Sequence, residues 1–272
     1  MKIWFCRIFL LLFIVFNLPF NPAHASILDK KEIVKTAYLT FDDGPSVLTE
    51  DVLDILKEKE VPGTFFICGK NAKDADTLLK RMVDEGHAIG NHTYSHNYQY
   101  IYKNAENFFQ DFYKCEELIF KATGFRTKIL RLPGGSNNKS SRLYGEKYLM
   151  NAICEELELK GYTYFDWNVS SRDANGQDYS VDELVSMTLS QARQKNDSII
   201  LFHDTASKIK TVKALPHIID GLIEQGFQFK VLSENSFKVT FPLPKVKVAV
   251  EKKRPKISKY QLWKLIKIEE MT

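Results

Sequence analysis

Two adjacent carboxylates, Asp42 and Asp43, sit in Thr40-Phe41-Asp42-Asp43-Gly44-Pro45, directly behind the apolar run Ala37-Tyr38-Leu39. Gly44 and Pro45 stop an extended segment and turn the chain. Neighbouring strand side chains point to opposite faces, so the two carboxylates serve one site only if the backbone bends at Asp43-Gly44. With that bend, one carboxylate can hold a metal ion and the other a reacting water. The same residues also read as a polar turn that ends a strand. Further along, His92 and His96 are spaced i, i+4 in Asn91-His92-Thr93-Tyr94-Ser95-His96. If that segment turns helically, the two rings share a face. Two imidazoles and a carboxylate make a three-ligand zinc site with an open position for water. Thr93 stands where a metalloprotease His-Glu-x-x-His motif has its glutamate, so the pattern is a different one. Taken alone, the histidine pair is weak evidence for a metal.

Three more polar segments follow apolar runs: Arg131-Leu132-Pro133-Gly134-Gly135, Asp166 to Asp173, and Leu201-Phe202-His203-Asp204. His87 and His217 have no comparable context and read as structural or exposed. The elements that must position these groups alternate. Apolar runs at 37–42, 63–68, 87–91, 128–132, 162–167, 198–203 and 227–232 read as seven strands. Helical patterns lie between them, starting near Thr49, from about Asp74 to Glu85, from Asn104 to about Ala122, and near 144–160, 181–194 and 211–225. Repeated β-α units imply an α/β fold with a parallel sheet. Seven of them fit a distorted or incomplete barrel better than a complete eightfold one, with an open doubly wound sheet as the alternative. In either architecture chemistry belongs at the C-terminal strand ends, where the polar segments fall.

Residues 1–25 have the layout of a secretory signal peptide: Lys2 and Arg7, an apolar stretch from Ile8 to Leu18, and Ala23-His24-Ala25 as a cleavage site. The expected location is secreted or cell-wall associated, with a membrane-tethering uncleaved signal anchor as the alternative. Cys6 lies too early for a lipoprotein cleavage site. Cys68, Cys115 and Cys154 are an odd set, which argues for buried thiols rather than a disulfide framework. The chain carries net +4, but residues 237–272 alone hold ten Lys/Arg against three Glu. A basic tail on an acidic body fits an anionic wall or membrane surface and, in a secreted protein, not nucleic acid. Ile257 to Ile268 can form a basic helix, and Phe237 to Val250 reads as an extra strand or a linker. The expected boundaries are a signal peptide at 1–25, a short leader at 26–35, a catalytic domain at 36–235 and a basic extension at 236–272.

Taken together, TFDDG at 40–44, HTYSH at 92–96, RLPG at 131–134, WNVSSRDA at 167–174 and LFH at 201–203 resemble the motifs of polysaccharide deacetylases with a NodB homology domain, carbohydrate esterase family 4. The likeness spans about 36–235 and is strongest to peptidoglycan N-acetylglucosamine deacetylases. It implies a distorted (β/α)7 barrel that removes acetyl groups from N-acetylated cell-wall glycan. By that resemblance, Asp43, His92 and His96 bind one divalent ion, Zn²⁺ or an alternative such as Co²⁺, which polarises the acetamide and acidifies water. Asp42 is the implied general base and His203 the implied general acid. The backbone N–H of Gly134 is the implied oxyanion donor. Arg131 is expected to hold a buried acidic partner near the base. Asp173 is expected to pair with the catalytic histidine, Asp166 being a poorer match for that role. Leu201 resembles the acetyl-pocket wall, and Trp167 belongs to the core or the groove.

The chain departs from the family's common pattern in three places. Ala174 stands where many members have an aromatic residue, Ser170 where many have aspartate, and Gly134 where many have tyrosine. None of these removes an implied ligand or proton-transfer group. N-Acetylmuramic acid and chitooligosaccharides are the alternative substrates. A metal phosphoesterase and a catalytically silent glycan-binding module are the readings from other classes.

Overall fold

The computed structural model describes residues 34–245. The signal peptide expected at 1–25 and the basic helix expected at 257–268 lie outside the described residues. Among the described residues, eight strands and eight α-helices follow one another along the chain. They run β1 (Lys35–Asp42), α1 (Thr49–Glu58), β2 (Gly63–Ile67), α2 (Asp76–Asp84), β3 (Ala88–Asn91), α3 (Tyr98–Ile101), α4 (Ala105–Thr123), β4 (Ile129–Leu130) and α5 (Ser140–Tyr144). The series continues with α6 (Leu149–Leu159), β5 (Thr163–Tyr164), β6 (Val169–Ser170), α7 (Val181–Ala192), β7 (Asp197–His203), α8 (Ile209–Glu224) and β8 (Phe227–Phe229).

Each of the seven apolar runs contains a strand, and every pairing is parallel. The sheet order is β5-β4-β3-β2-β1-β7-β6, with β8 on the N-terminal half of β1. The two ends of that order, β5 and β6, are pieces of one stretch of chain. Its first half bonds to β4, as Phe165 N–H to Leu130 O at 2.9 Å, and its second half to β7, as Asn168 N–H to Ile199 O at 3.2 Å. The sheet thereby curls into a distorted barrel. Sequence periodicity reads 162–167 as one strand and misses this change of partner. The helix expected at 144–160 starts later, at Leu149, with the short α5 before it.

Both faces of the sheet are covered, which is why its strands read as continuous apolar runs. On β1, Ala37, Leu39 and Phe41 face the helices, and Phe41 stacks between its register partners Phe65 and Phe202 at 5.0 and 5.5 Å. The alternate residues face the barrel interior, where Tyr38 joins Phe66, Ile129, Phe165, Ile199 and Leu232 in a small core. On that interior face the last β1 residue is Asp42. Register sets Asp42 beside His203 of β7 and Asn91 beside Leu130. The polar segments therefore emerge on one rim.

Residues beyond 235 also pack on the body. Asp166 N–H donates to Val239 O at 2.8 Å, and Phe241 packs edge-on against Trp167 at 4.9 Å. Cys68, Cys115 and Cys154 are buried free thiols, as an odd count implies.

Candidate active site

The bend that the two carboxylates require is present. Asp43 takes a left-handed backbone, φ 74°, and a cis Gly44-Pro45 peptide follows. The turn is tied down from several sides. Cys68 N–H donates to Gly44 O at 2.9 Å, and Asn71 Nδ2 donates to Asp43 O at 2.8 Å. Beneath it lies the fully buried Asp204, whose carboxylate accepts from Thr49 Oγ1 at 2.6 Å. A Cβ on Gly44 would sit 2.3–2.6 Å from the Asp204 carboxyl atoms, so only glycine lets the turn pass. Burial pushes the Asp204 carboxyl up to about 7 against the opposing hydrogen bond from Thr49.

His92 and His96 converge, but not on a helix. They lie on a loop with left-handed residues at Thr93 (φ 66°) and His96 (φ 51°). Two side chains impose that path. Asn91 Oδ1 accepts from Thr93 N–H at 2.8 Å, and Asp111 Oδ1 accepts from Tyr94 and Ser95 N–H at 2.7 and 2.8 Å. Sequence reasoning missed Asp111, a buried acid in the aromatic stripe of α4. The only signal for it was an acidic residue at an otherwise apolar position.

The rings approach Asp43 from two sides. Asp43 Oδ1 lies 3.4 Å from His92 Nε2 and 3.2 Å from His96 Nε2. One ligand atom from each residue falls within 4.8 Å of the others. Oδ1 is buried and has no hydrogen-bond partner. His92 Nδ1–H donates to the Arg131 carbonyl at 2.7 Å. A carbonyl can only accept, so the proton is on Nδ1 and Nε2 is free to ligate. Burial opposes charge on His92, yet Asp42 and Asp43 raise its pKa, so the spot favours a cation. Burial lowers the pKa of His96, which favours the neutral ring a ligand needs. A divalent ion fits this donor set.

Asp42 is held by Arg131, which is fully buried in the barrel. Its Nη1 donates to Asp42 Oδ1 at 2.8 Å and Thr40 Oγ1 at 2.7 Å, and its Nε donates to Phe165 O at 3.0 Å. The guanidinium also lies over the Phe66 ring at 4.4 Å. The buried partner expected for Arg131 is thus Asp42 itself. Asp42 Oδ2 stays on the site side, 3.8 Å from His92 Nε2.

Across the rim, His203 Nδ1–H donates to Asp173 Oδ1 at 2.8 Å. Burial works against a charged ring, but the hydrogen bond and charge of Asp173 outweigh it, with help from Asp42 and Asp43. The His203 pKa rises to about 9. Asp166 does not compete for this histidine. Its carboxylate accepts from Ser136 N–H at 2.8 Å and Phe241 N–H at 2.6 Å, joining the 133–138 loop to the C-terminal segment.

These groups surround one cavity of about 390 Å³, lined also by Tyr98, Gly134, Trp167, Ser170, Ala174 and Leu201. All ten residues singled out by sequence meet here, nine on the wall and Arg131 behind it. Tyr98, which the sequence reading missed, sits on the wall between His96 and Gly134.

Comparison with known proteins gives the family. A family model described as polysaccharide deacetylase matches residues 29–153. A peptidoglycan-N-acetylglucosamine deacetylase of Bacillus cereus is 34% identical over 216 residues, 76% of this chain and 73% of that one. The peptidoglycan-N-acetylmuramic acid deacetylase PdaA of Bacillus subtilis is 32% identical over 219 residues, 77% of this chain and 74% of that one. The solved catalytic domain of a Eubacterium rectale peptidoglycan N-acetylglucosamine deacetylase aligns with a TM-score of 0.74 at 33% identity, covering 78% of this chain and 94% of that one. The chain belongs to the polysaccharide deacetylases of carbohydrate esterase family 4, hydrolases of amide bonds.

Proposed function

We propose that the protein is a secreted, metal-dependent deacetylase of amino sugars in cell-wall polysaccharide, with N-acetylglucosamine of peptidoglycan as its substrate. The observation that carries this reading is the placement of Asp42 and His203 beside the Asp43, His92 and His96 cluster. Asp43, His92 and His96 would hold Zn²⁺, which when bound supplies Lewis acidity toward an acetamide oxygen. Asp42, oriented by Arg131, takes a proton as water attacks the carbonyl carbon. The Gly134 N–H donates to the oxyanion. His203 gives its proton to the nitrogen as the C–N bond breaks, since an amine leaves poorly without one. Acetate and a free amine result. Leu201 forms the apolar surface for the acetyl methyl, and Trp167 a face for the sugar.

The Bacillus cereus and Eubacterium rectale relatives support N-acetylglucosamine, while the Bacillus subtilis relative favours N-acetylmuramic acid as the second reading. The apolar stretch and cleavage site within 1–25 support secretion, and the positive charge of 237–272 supports contact with an anionic wall or membrane surface. The test is acetate release from N-acetylated peptidoglycan and chitooligosaccharides by purified residues 26–272 with Zn²⁺. Release that is lost in Asp42→Asn and His203→Ala is expected. No release from any substrate by folded, Zn²⁺-loaded protein would sink the proposal. Mass analysis of the product sugars separates the two substrates, and N-terminal sequencing of protein from culture medium tests cleavage after Ala25.

A further inference from the structure

Gly134 has a left-handed backbone, φ 75°, and its missing side chain leaves room on the cavity wall. Tyr98 fills that room. A Cβ on Gly134 would meet the Tyr98 hydroxyl oxygen at 3.0 Å and Cε1 at 3.3 Å. Tyr98 opens α3, whose first turn is capped by Asn97 Oδ1 accepting from Gln99 and Tyr100 N–H at 3.1 and 3.3 Å. At the other end of this turn, Tyr102 Oη donates to Pro133 O at 2.7 Å and locks the helix to the loop that carries Gly134. The Tyr98 ring meets His96 edge-on at 5.2 Å. Tyr98 is half-buried, and its hydroxyl has no hydrogen-bond partner among the described residues. A hydroxyl with both donor and acceptor capacity lines the cavity beside the candidate metal cluster.

We propose that Tyr98 is a substrate-contacting specificity residue: its ring is the aromatic wall beside Gly134, and its hydroxyl bonds a polar group of the N-acetylated sugar. The proposal rests on the deacetylase reading for its ligand class. A purely structural Tyr98 would only brace His96, and the two roles give different results. Removing the hydroxyl while keeping the ring costs one hydrogen bond to substrate, about two- to ten-fold in affinity. It leaves the His96 contact intact.

The experiment compares Tyr98 with Tyr98→Phe and Tyr98→Leu in two settings. Chitotetraose binding is measured calorimetrically on the Zn²⁺-loaded Asp42→Asn background, where the probe is not turned over. Acetate release and Zn²⁺ affinity are measured with Asp42 intact. The expected result is weaker chitotetraose binding and higher KM in Tyr98→Phe, a larger effect in Tyr98→Leu, and unchanged Zn²⁺ affinity in Tyr98→Phe. Equal chitotetraose affinity with and without the hydroxyl, including no binding by either, overturns the proposal. So does a loss of activity that follows a loss of Zn²⁺ affinity. Failure of the deacetylase reading shows separately, as no acetate from the protein with all its native residues.

Discussion

Asp173 grips His203 at two points: Oδ1 accepts from the ring Nδ1–H at 2.8 Å, and Oδ2 accepts from the backbone N–H at 2.9 Å. Oδ2 also accepts from Thr211 Oγ1 at 3.1 Å, so the carboxylate is itself held in place. The ring's tautomer and its aim are fixed together, with Nε2 left for the cavity. The raised His203 pKa, about 9, keeps the ring protonated at neutral pH. The limb of the pH–rate profile that depends on this acid should fall as pH rises. Asp173→Asn removes the negative charge, so the His203 pKa drops and that limb moves to lower pH. His203→Ala should lower kcat by about 10²–10⁴. A pH series of kcat/KM on both variants reads this, and an unmoved alkaline limb in Asp173→Asn would count against His203 as the acid.

Metal binding has a readout independent of turnover. A ligand that binds only the folded state raises Tm. Zn²⁺ should therefore raise the melting temperature of the protein but not of Asp43→Ala or His96→Ala. Metal content measured after dialysis should fall in parallel, and chelation should abolish the rise. An unchanged zinc stoichiometry in Asp43→Ala would remove that carboxylate from the ligand set.

Arg131→Ala removes the donors to Asp42 and to the Phe165 and Asp166 carbonyls in the barrel interior. Breaking one side of a buried ion pair costs about 3–5 kcal/mol. The expected result is a large loss of stability by urea unfolding, together with lost activity. Stability within about 0.5 kcal/mol of the original would show that water reaches this interior.

Gly44→Ala drives a methyl group into the Asp204 carboxyl, which Thr49 pins from the other side. Overpacking of this kind costs about 1–3 kcal/mol. Because Asp43 is the next residue, the turn that shifts also carries a candidate ligand. Urea unfolding and Zn²⁺ titration should both report the change. If only stability falls, the turn adjusts without moving Asp43.

The strands were legible in the sequence because buried parallel strands are unbroken apolar runs, and the polar segments marked their C-terminal ends. The polar segments that meet in the cavity were legible for the same reason, while Gly134, Asp173, Leu201 and Trp167 were singled out within them by the family resemblance. What could not be read were devices that depend on contacts distant in sequence. The helical face imagined for His92 and His96 is a loop, because Asn91 and Asp111 tie down the N–H groups of Thr93, Tyr94 and Ser95 between them. Arg131 looked like a group near the base and turned out to hold Asp42 directly. Tyr98 carried no signal, since its position beside Gly134 exists only once α3 is locked to the Pro133 carbonyl. The change of partner between Phe165 and Asn168 was hidden because a run of apolar residues does not say which neighbour it bonds.

That change of partner bears on solubility. A sheet with free ends offers unpaired N–H and C=O groups to other chains, and strand addition follows from them. Here the two ends share one stretch of chain, and Val239 and Phe241 cover the junction by bonding the backbone and carboxylate of Asp166. A chain cut after Ser236 would bare a fully buried N–H and carboxylate at that place. Light scattering should then show self-association that the longer chain resists. Protection from strand addition comes from a segment that belongs to no strand.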